Sequence, residues 1–525
     1  MNHTDNAAGM KTLARDIGGL QLLLSAGMLA ALAVSLIFGE YFTALALFAS
    51  AAISAGCGGW AWRHFRNAPE PERHHAMMIA GAGWLVSAVF GALPFLLAAY
   101  WTPEAAARAF VPAGQDYASS LFFFRNPLHS FFESMSAYTA TGLTMAVHEP
   151  SIGRGLLFYR SVCQWLGGAG VVILSLALLP RPRLANEIEL FRSELAVTKL
   201  RPGIIGTARE TWKIYALVTG AAALWLFVST LVFLPGYGFV NSLFDAVNHA
   251  MTGLAAGGFS VLDDSIAGYG SYALELAHIP PMILSAISLP LYYFFLRERS
   301  LRVFWRDPQF RLMSLLLPCG SLAAVLLLWG VPAVGDPLRE GIFQFISALT
   351  TTGWQTSDIG NWKNSAVMFF AFVPMLIGGS AGAPVGGFKL IRVYLISRAV
   401  VWRVRRVFLP ESVVLPLRTG DRTLSPDAMK REVHDAAVFC LVYLAVLAAA
   451  IIVVAHYAGP GFTLADILFE CVSTQGNVGL SSGLTAPDMP VVIELTLMLQ
   501  MWVGRLEIFP VVILFSALAT RAFRR

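Results

Sequence analysis

Charged residues are scarce in this sequence: they make up 13% of its 525 positions, whereas hydrophobic residues make up 56%. A water-soluble protein of this length needs more polar surface than such a composition supplies. The mean hydropathy of +0.64 points the same way. The composition therefore excludes a water-soluble protein and predicts a membrane protein.

Cysteine is also rare, and the cysteines are not grouped. No Cys-x-x-Cys pair and no Cys/His ligand spacing occurs, so we expect neither disulfides nor a metal site. His249 stands alone before a glycine-containing turn, and a packed or hydrogen-bonded histidine is the simpler interpretation. The five cysteines are scattered through apolar segments or turn regions: Cys57, Cys163, Cys319, Cys440 and Cys471.

Groupings typical of enzymes are missing as well. We find no carboxylate pair, no Ser/His/Asp set and no glycine loop of the kind that binds phosphate. The sequence therefore predicts a protein that is not an enzyme and that carries no covalently bound cofactor. The net charge of +5 reflects membrane topology, described below, and nucleic-acid binding is not indicated.

Long apolar runs are what the sequence has in abundance. A helix that crosses the hydrocarbon core needs about 20 mostly apolar residues. By that measure the chain has ten candidate transmembrane helices, and the predicted fold class is an all-α polytopic membrane protein. The candidates are residues 21–38, 41–62, 77–100, 155–179, 212–234, 272–296, 312–331, 364–396, 437–457 and 491–519.

The 37 lysines and arginines predict the orientation, because basic loops tend to stay in the cytoplasm. With the N-terminus inside, most of them fall on the cytoplasmic side, and both termini are cytoplasmic. Four more lie within or beside spans: Arg160, Lys389, Arg392 and Arg505. This arrangement leaves only five outside: Arg108, Arg125, Arg154, Arg339 and Lys363.

A glycine-centred turn occurs four times, each time between two long apolar segments, and we call these the glycine turns. Their central glycines, which we take as Gly142, Gly257, Gly353 and Gly476, recur about every 100 residues, the signature of an internal repeat. Gly258 and Gly479 remain alternatives for the second and fourth. The turns are residues 139–144, 255–260, 350–354 and 473–479.

Each glycine turn follows a segment long enough for about three helical turns and too short to cross a membrane. Irregular backbone survives in a bilayer only where it is buried in protein or lines a cavity. Glycine permits a positive φ there, and backbone carbonyls can replace the water shell of a cation. We therefore predict a selectivity filter made by Ala140, Thr141, Gly142, Ala256, Gly257, Thr351, Thr352, Gly353, Thr474, Gln475 and Gly476.

A glycine-rich stretch interrupts the span at residues 364–396. Five glycines and a proline in residues 378–387 disfavour a firm helix, and a kink or a tight packing site is the simpler alternative to a gate. Arg505 lies inside the last apolar segment, where a charge is costly unless it is paired or faces water. We predict a gate that comprises Gly378, Gly379, Ser380, Ala381, Gly382, Gly386, Gly387, Lys389 and Arg505.

The repeats and connections divide the chain into five parts. Residues 1–75 form a two-helix extension and linker, and residues 76–210 hold the first repeat with a charged cytoplasmic linker. Residues 211–311 hold the second repeat. The third repeat and its linker occupy residues 312–435, and the fourth occupies residues 436–525.

Several motifs together resemble the Trk/Ktr/HKT superfamily of potassium transporters, and its TrkH/TrkG branch most closely. The resemblance covers nearly the whole chain, including residues 194–215 in the first linker and the helix pair at the N-terminus. The motifs are Gln164-Trp165-Leu166-Gly167-Gly168, Thr350-Thr351-Thr352-Gly353, residues 378–389 and Gly504-Arg505-Leu506-Glu507-Ile508-Phe509.

The resemblance implies four units of helix, pore hairpin and helix around one pseudo-fourfold pore. It also implies a homodimer, a cytosolic nucleotide-binding regulatory subunit of the TrkA type, and K⁺ or Rb⁺ as the transported ion. Two departures bear on selectivity. The second turn has Ala255-Ala256 where hydroxyl residues are usual, and the fourth reads Thr474-Gln475-Gly476-Asn477, closer to the Ktr pattern.

The functional prediction is the ion-conducting subunit of a K⁺ uptake system in the bacterial inner membrane. One alternative is a Na⁺-permeable or Na⁺-coupled cation transporter. A second, from a different class, is a membrane scaffold in which the glycine turns only pack.

Overall fold

The computed structural model describes residues 3–69, 73–168, 170, 204–332, 334–362, 364–410, 417–419, 422–424 and 426–522. Within these ranges the chain is almost entirely helical. Six helices are long and apolar enough to cross a membrane, or eight spans if each of two bent helix pairs counts as one. A polytopic helical membrane protein is therefore confirmed.

Two antiparallel helices begin the chain, α1 (His3–Ile37) and α2 (Tyr41–His64). The turn between them contains Gly39, whose φ is +74°. Farther along the pair, a Cβ atom on Gly18 or on Gly58 would come within 3.0 Å of the other helix's backbone. The two helices therefore touch backbone to backbone through small residues.

Four short helices precede the glycine turns, and we call them the pore helices: α6 (Pro127–Thr139), α9 (Phe239–Leu254), α14 (Pro337–Leu349) and α18 (Leu464–Gln475). Three of them begin at a side-chain cap, provided by Asn126, Asp336 and Thr463. Such caps satisfy N–H groups that have no partner within the helix. All four helices end among buried residues.

The helices that lead into the pore helices are α3 (Arg73–Gly91) with α4 (Leu93–Trp101), α8 (Ile204–Phe233), α13 (Pro308–Leu328) and α17 (Pro426–Tyr457). Short helices α5 (Glu104–Arg108) and α12 (Arg302–Arg306) lie in connections. The helices that follow the glycine turns are α7 (Arg154–Gly168), α10 (Tyr272–Ser285) with α11 (Leu289–Glu298), α15 (Asn364–Phe370) with α16 (Leu390–Val407), and α19 (Val491–Arg505) with α20 (Phe509–Ala522).

Two of the ten candidate spans, residues 272–296 and 491–519, are bent pairs of helices. Helices α10 and α11 meet at 90°, and α19 and α20 meet at 111°. Pro290 and Pro510 each lie in the first turn of the second helix, where the missing N–H costs nothing. Glu507 and Ile508, between α19 and α20, have φ of +55° and +69°, which ends the first helix sharply.

The third repeat contains irregular backbone, and a short hairpin lies in the linker that follows it. The span predicted at residues 364–396 is interrupted as the sequence indicated, first by a π-helical turn at Ala371–Met375 and then by an irregular loop up to Lys389. The sequence did not predict a short two-stranded antiparallel hairpin, Leu417–Thr419 with Arg422–Leu424, in the connection before α17. Each strand has three residues, one leucine and two adjacent polar residues, which is too short for a period-2 pattern to predict.

Part of the first repeat lies outside the described residues. The predicted span 155–179 is described only as far as Gly168 and at residue 170, and most of the linker up to residue 210 is likewise outside.

Candidate functional site

The four glycine turns share one backbone conformation. In each turn a residue other than glycine adopts the left-handed region, with φ between 49° and 53°: Ala140, Ala256, Thr351 and Asn477. The next residue donates its N–H to a carbonyl five residues back, at 2.9 Å in all four turns. These hydrogen bonds join Thr141 to Ser136, Gly257 to Thr252, Thr352 to Ser347 and Val478 to Ser473.

Four glycines in these turns form a closed ring, and we call them the ring glycines: Gly142, Gly258, Gly353 and Gly479. Each has a φ between +69° and +95°. A Cβ atom on any of them would come under 3.0 Å from a carbonyl oxygen of the next turn. Only glycine tolerates both the positive φ and this close approach. In ring order the carbonyls belong to Gly257, Thr352, Val478 and Thr141.

The ring assigns a different register to two turns than the one we preferred. Gly258 and Gly479, the alternatives at these positions, are equivalent to Gly142, whereas Gly257 is equivalent to Thr141. Thr474 and Gln475 are the last residues of α18, and Gly476 has an ordinary φ of −76°. These three therefore lie before the ring, because the fourth turn needs three further residues to reach it.

A sequence signal for the correct register does exist. Each ring glycine is followed by a large apolar residue. Its buried side chain fixes the position of the backbone that follows the ring. In the second turn this signal separates Gly258 from Gly257, which precedes another glycine. The four residues are Leu143, Phe259, Trp354 and Leu480.

Hydroxyl groups support the backbone in the first and third turns. Thr139 and Thr141 are joined through their Oγ1 atoms at 2.8 Å, and Thr350 and Thr352 are joined in the same way at 2.9 Å. In the first turn Ser136 Oγ also accepts the N–H of Gly142 at 3.1 Å. These contacts hold the backbone at the ring in place.

Amide side chains replace the paired threonines in the second and fourth turns, although Ser473 Oγ still accepts the N–H of Gly479 at 3.2 Å. Gln164, on α7, donates to Gly257 O at 2.7 Å and accepts the N–H of Phe259 at 3.1 Å. Asn477 Nδ2 donates to Thr141 Oγ1 at 2.8 Å and to Met501 O at 3.1 Å. Sequence reasoning assigned no such role to Gln164 or Asn477, because their partners are distant in the chain.

A buried polar residue stands nine positions before every ring glycine. It forms hydrogen bonds with the segment that follows the ring glycine. Glu133 accepts from Thr144 Oγ1 and from Met145 N at 3.0 and 2.9 Å, and Glu470 accepts from Ser482 N at 2.8 Å. Both glutamates are fully buried. Arg160 also pairs with Glu133 at 2.7 Å.

The equivalent residues in the other two turns are His249 and Gln344. His249 Nε2 lies 3.2 Å from Ser260 Oγ, so this histidine is a hydrogen-bonded packing residue, as the simpler interpretation had it. The Gln344 amide is oriented so that its oxygen faces N–H donors. This oxygen accepts hydrogen bonds from Thr356 N and Ser357 N at 2.7 and 3.1 Å.

A polar cavity of about 110 Å³ lies over the ring, and we call it the vestibule. The four ring glycines form its floor, and its wall carries hydroxyl groups and the carboxylate of Glu149. Glu149 lies in the connection between the first turn and α7, at the 3₁₀ turn Glu149–Ile152. Burial raises the pKa of Glu149 to about 8. The hydroxyls belong to Thr144, Ser260, Ser265, Ser481 and Thr485.

The glycine-rich stretch 378–387 forms a buried loop on the other side of the ring, and we call it the gate loop. It is tied to the bend between α10 and α11, because Ser380 N donates to Ala286 O and Leu289 N donates to Gly382 O, both at 3.0 Å. Ala381 N donates to Gln309 Oε1 at 2.7 Å. Burial and these hydrogen bonds make the loop an ordered element.

The gate loop also contacts the turns themselves. Gly386 N donates to Thr351 Oγ1 at 3.2 Å, and a Cβ atom on Gly386 would overlap the carbonyl oxygen of Gly476. Gly378, Gly382 and Gly387 have φ of +69°, +84° and +75°, so the loop conformation depends on glycine at these three places.

Arg505 connects the gate loop to the end of α7. Its Nη1 donates to Pro384 O at 3.0 Å, and its Nη2 donates to Gly167 O and Gly168 O at 2.6 and 2.7 Å. The last carbonyls of a helix lack partners within it and carry partial negative charge. The charge of Arg505 is therefore satisfied by backbone oxygens.

Glu507 is a functional candidate that the sequence reasoning missed. Its carboxylate pairs with Lys389 at 2.6 Å and with Arg392 at the start of α16. Lys389 is the last residue before α16, so this pair fastens the end of the gate loop to the bend between α19 and α20. The sequence did contain a signal for this ion pair. Lys389 and Arg392 are two positive residues next to the gate loop, and Glu507 is a carboxylate two residues after Arg505.

Comparisons with known proteins agree with this arrangement. The family model of TrkH, described as a cation transport protein, matches residues 75–523. The Trk system potassium uptake protein TrkH of Halomonas elongata is 30% identical over 519 residues, which cover 97% of this chain and 98% of the relative. TrkH of Escherichia coli K12 is also 30% identical, over 96% of this chain and 98% of its own length.

A solved structure is similar along the whole chain. The crystal structure of the potassium transporter TrkH from Vibrio parahaemolyticus superposes with a TM-score of 0.77 at 27% identity, over 96% of this chain and 98% of that one. Sequence and fold thus agree from end to end. This chain belongs to the TrkH family of cation transport proteins, which are membrane transporters and not enzymes.

Proposed function

We propose that this chain is the ion-conducting transmembrane subunit of a potassium uptake system. The observation that carries the proposal is the closed ring of Gly142, Gly258, Gly353 and Gly479, in which each turn presents a carbonyl to the next. Relatives named as Trk potassium uptake proteins support K⁺ as the transported ion. The ion itself is the substrate, held only in passage.

The backbone carbonyls of Thr141, Gly257, Thr352 and Val478 are our choice for the ligands that replace the hydration shell of K⁺. The pore helices support this choice, because their C-terminal ends carry partial negative charge and lie directly before these residues. The shared hydrogen bond of 2.9 Å in every turn supports four pore units, each made of helix, pore hairpin and helix, around a pseudo-fourfold axis.

The gate belongs to the same proposal. The gate loop lies on the side of the ring opposite the vestibule and touches two turns, so in this conformation it obstructs the path of the ion. Arg505 and Glu507 hold it there through the contacts described above. Conduction then requires the gate loop to move away from Thr351 and Gly476. Its hydrogen bonds to Ala286 and Gln309 either persist during this movement or are replaced by others.

Location and assembly follow the sequence-based expectations. We propose a ten-span protein of the bacterial inner membrane with both termini in the cytoplasm, a homodimer, and regulation by a cytosolic nucleotide-binding subunit of the TrkA type. The excess of lysine and arginine in the connections on the gate-loop side supports the orientation.

Uptake of ⁸⁶Rb⁺ into a strain that lacks K⁺ uptake systems tests the function, with Na⁺ and Li⁺ as competitors. Gly353→Ser is the informative variant, since its side chain enters the ring. Gly459→Ser is the matched control, because nothing lies within 4 Å of a Cβ there. Uptake that resists Na⁺ and loses this resistance only in Gly353→Ser supports the proposal. Absence of uptake from folded protein, with or without a cytosolic partner, contradicts it.

One observation favours a second candidate, a Na⁺-permeable transporter. In the second turn Ala255 and Gly257 occupy the positions of the paired threonines in the first and third turns. Gln164 supports this turn instead, and a ring whose four turns are supported unequally discriminates less between ions of different size. In the same assay, equal inhibition of ⁸⁶Rb⁺ uptake by Na⁺ and by K⁺ would favour this candidate.

A further inference from the structure

A second cavity, far larger than the vestibule, lies on the vestibule side of the molecule. It measures about 770 Å³, within the range of small-molecule sites. The turn between α1 and α2, the start of α7 and the pore helix α9 enclose it. We call it the side cavity, and its walls include six aromatic residues: Phe38, Tyr41, Phe42, Phe110, Tyr237 and Phe244.

A carboxylate with a spare oxygen faces the side cavity. Asp245 is only 4% exposed, and its Oδ2 accepts hydrogen bonds from Tyr237 at 2.6 Å and from Tyr269 at 3.0 Å. No side chain or N–H in the described ranges donates to Oδ1. Asp245 lines the cavity, so this oxygen is available to a hydrogen-bond donor that enters it, and a charged donor would bind most strongly.

A guanidinium faces the same cavity. Arg154 Nη2 donates to Asn241 Oδ1 at 2.7 Å, and the group lies over the ring of Phe38 at 4.4 Å. It forms no ion pair within the part of the chain that is described. The neighbouring carboxylate of Glu40 is occupied in another way, since it accepts the backbone N–H groups of Arg154 and Gly155 at the start of α7.

The mouth of the side cavity is lined by apolar side chains that water would not favour. Tyr41 is 70% exposed and Phe42 is 42% exposed, and both line the cavity at the start of α2. In a membrane protein such surface is covered by lipid. The cavity therefore opens towards the bilayer and offers one negative and one positive group at its polar end.

We propose that the side cavity binds one phospholipid whose headgroup carries a primary amine and a phosphate, an ethanolamine-type zwitterion. The ammonium donates to Asp245 Oδ1, the phosphate accepts from Arg154, and an acyl chain lies against Phe38, Phe110 and Phe244. A choline headgroup has no N–H to donate, and an anionic headgroup without an amine leaves Asp245 unpaired. In the proposed orientation this lipid comes from the outer leaflet.

Native mass spectrometry of the purified full chain tests this, with ethanolamine, choline and glycerol phospholipids of identical acyl chains. We expect one ethanolamine lipid per chain to be retained, and about tenfold or greater loss of retention in Asp245→Asn and in Arg154→Gln. Arg108→Gln and Asp116→Asn, both exposed on the same side, are the matched controls. Thermal unfolding of each variant shows that it is folded.

Three results would overturn the proposal. The first is equal retention of the three lipids, and the second is unchanged retention in both cavity variants. The third is displacement of the lipid by soluble glycerophosphoethanolamine at equal concentration, which would make the ligand a dissolved zwitterion. Because binding is measured without ion flux, the result stands apart from the proposed transport function.

Discussion

Arg505 and Pro384 are joined by a hydrogen bond of 3.0 Å, although one lies at the end of α19 and the other in the gate loop. The same guanidinium binds the carbonyls of Gly167 and Gly168 at the end of α7. One side chain therefore fixes the gate loop to two inner helices.

Replacing Arg505 by alanine is expected to release the gate loop. A hydrogen bond from a charged donor contributes about 1.5–3 kcal/mol, so loss of the bond to Pro384 should raise ⁸⁶Rb⁺ flux in proteoliposomes about tenfold or more. Arg505→Lys should give an intermediate flux, because an ammonium cannot match the planar fork. The control is Arg403→Ala on the exposed face of α16, and equal flux in all of these proteins would refute a gating role.

Replacing Glu507 by glutamine is expected to destabilise the protein. Lys389 and Arg392 would lose their shared carboxylate, and because the group is only partly buried we expect a loss of about 1.5–3 kcal/mol, that of a hydrogen bond to a charged group. The measurement is the midpoint of thermal unfolding in detergent. A double variant that also carries Lys389→Met should recover part of the loss. If Glu507→Gln unfolds at the wild-type temperature, the ion pair does not hold the loop.

The register of the fourth turn can be tested with two single alanine substitutions. Gly479→Ala puts a methyl group against Thr141 O at a φ of +92°, whereas Gly476→Ala has an ordinary φ and contacts of 2.9 and 3.1 Å to two carbonyl oxygens. We expect Gly479→Ala to lose Rb⁺ uptake or its resistance to Na⁺, and Gly476→Ala to retain most of both. The reverse order would favour the register with Gly476 as the central glycine.

Uptake should depend on external pH through Glu149. Burial raises the pKa of this carboxyl from 4.5 to about 8, Arg160 opposes the rise, and Asp263 and Glu133 add to it. Below about pH 8 Glu149 is mostly neutral, and above it the carboxylate adds negative charge to the vestibule and attracts cations. Initial rates of ⁸⁶Rb⁺ uptake are therefore expected to rise between pH 7 and pH 9, and Glu149→Gln should flatten this rise.

The same shift predicts an effect on stability with the opposite sign. The folded state binds the Glu149 proton more tightly than the unfolded state does, so the free energy of unfolding falls as pH rises from about 4.5 to about 8. Thermal unfolding of the wild type and of Glu149→Gln across this range measures the difference. A wild type and a variant with parallel pH profiles would mean that Glu149 titrates as an exposed carboxyl.

The membrane class, the helix pair at the N-terminus and the four glycine turns could be predicted from local sequence. Apolar runs of sufficient length reveal spans because lipid forces each backbone group to bond within its own helix. The breaks at Pro290 and Pro510 were also visible as prolines in apolar runs, but counting hydropathy over each run overlooked them. Hydropathy counted over an apolar run is the same whether a proline begins a second helix or lies within a single one.

The sequence by itself determined where backbone would be irregular, since glycine and proline act on their own residues. Tertiary structure alone decided that the four turns close into a ring. Phe259 marks Gly258 rather than Gly257 in the sequence, but only the approach of Thr352 O from another turn makes glycine necessary at position 258. It likewise brought Glu507 to Lys389 and Asn477 to Thr141, because contacts between residues more than a hundred positions apart depend on how the helices pack.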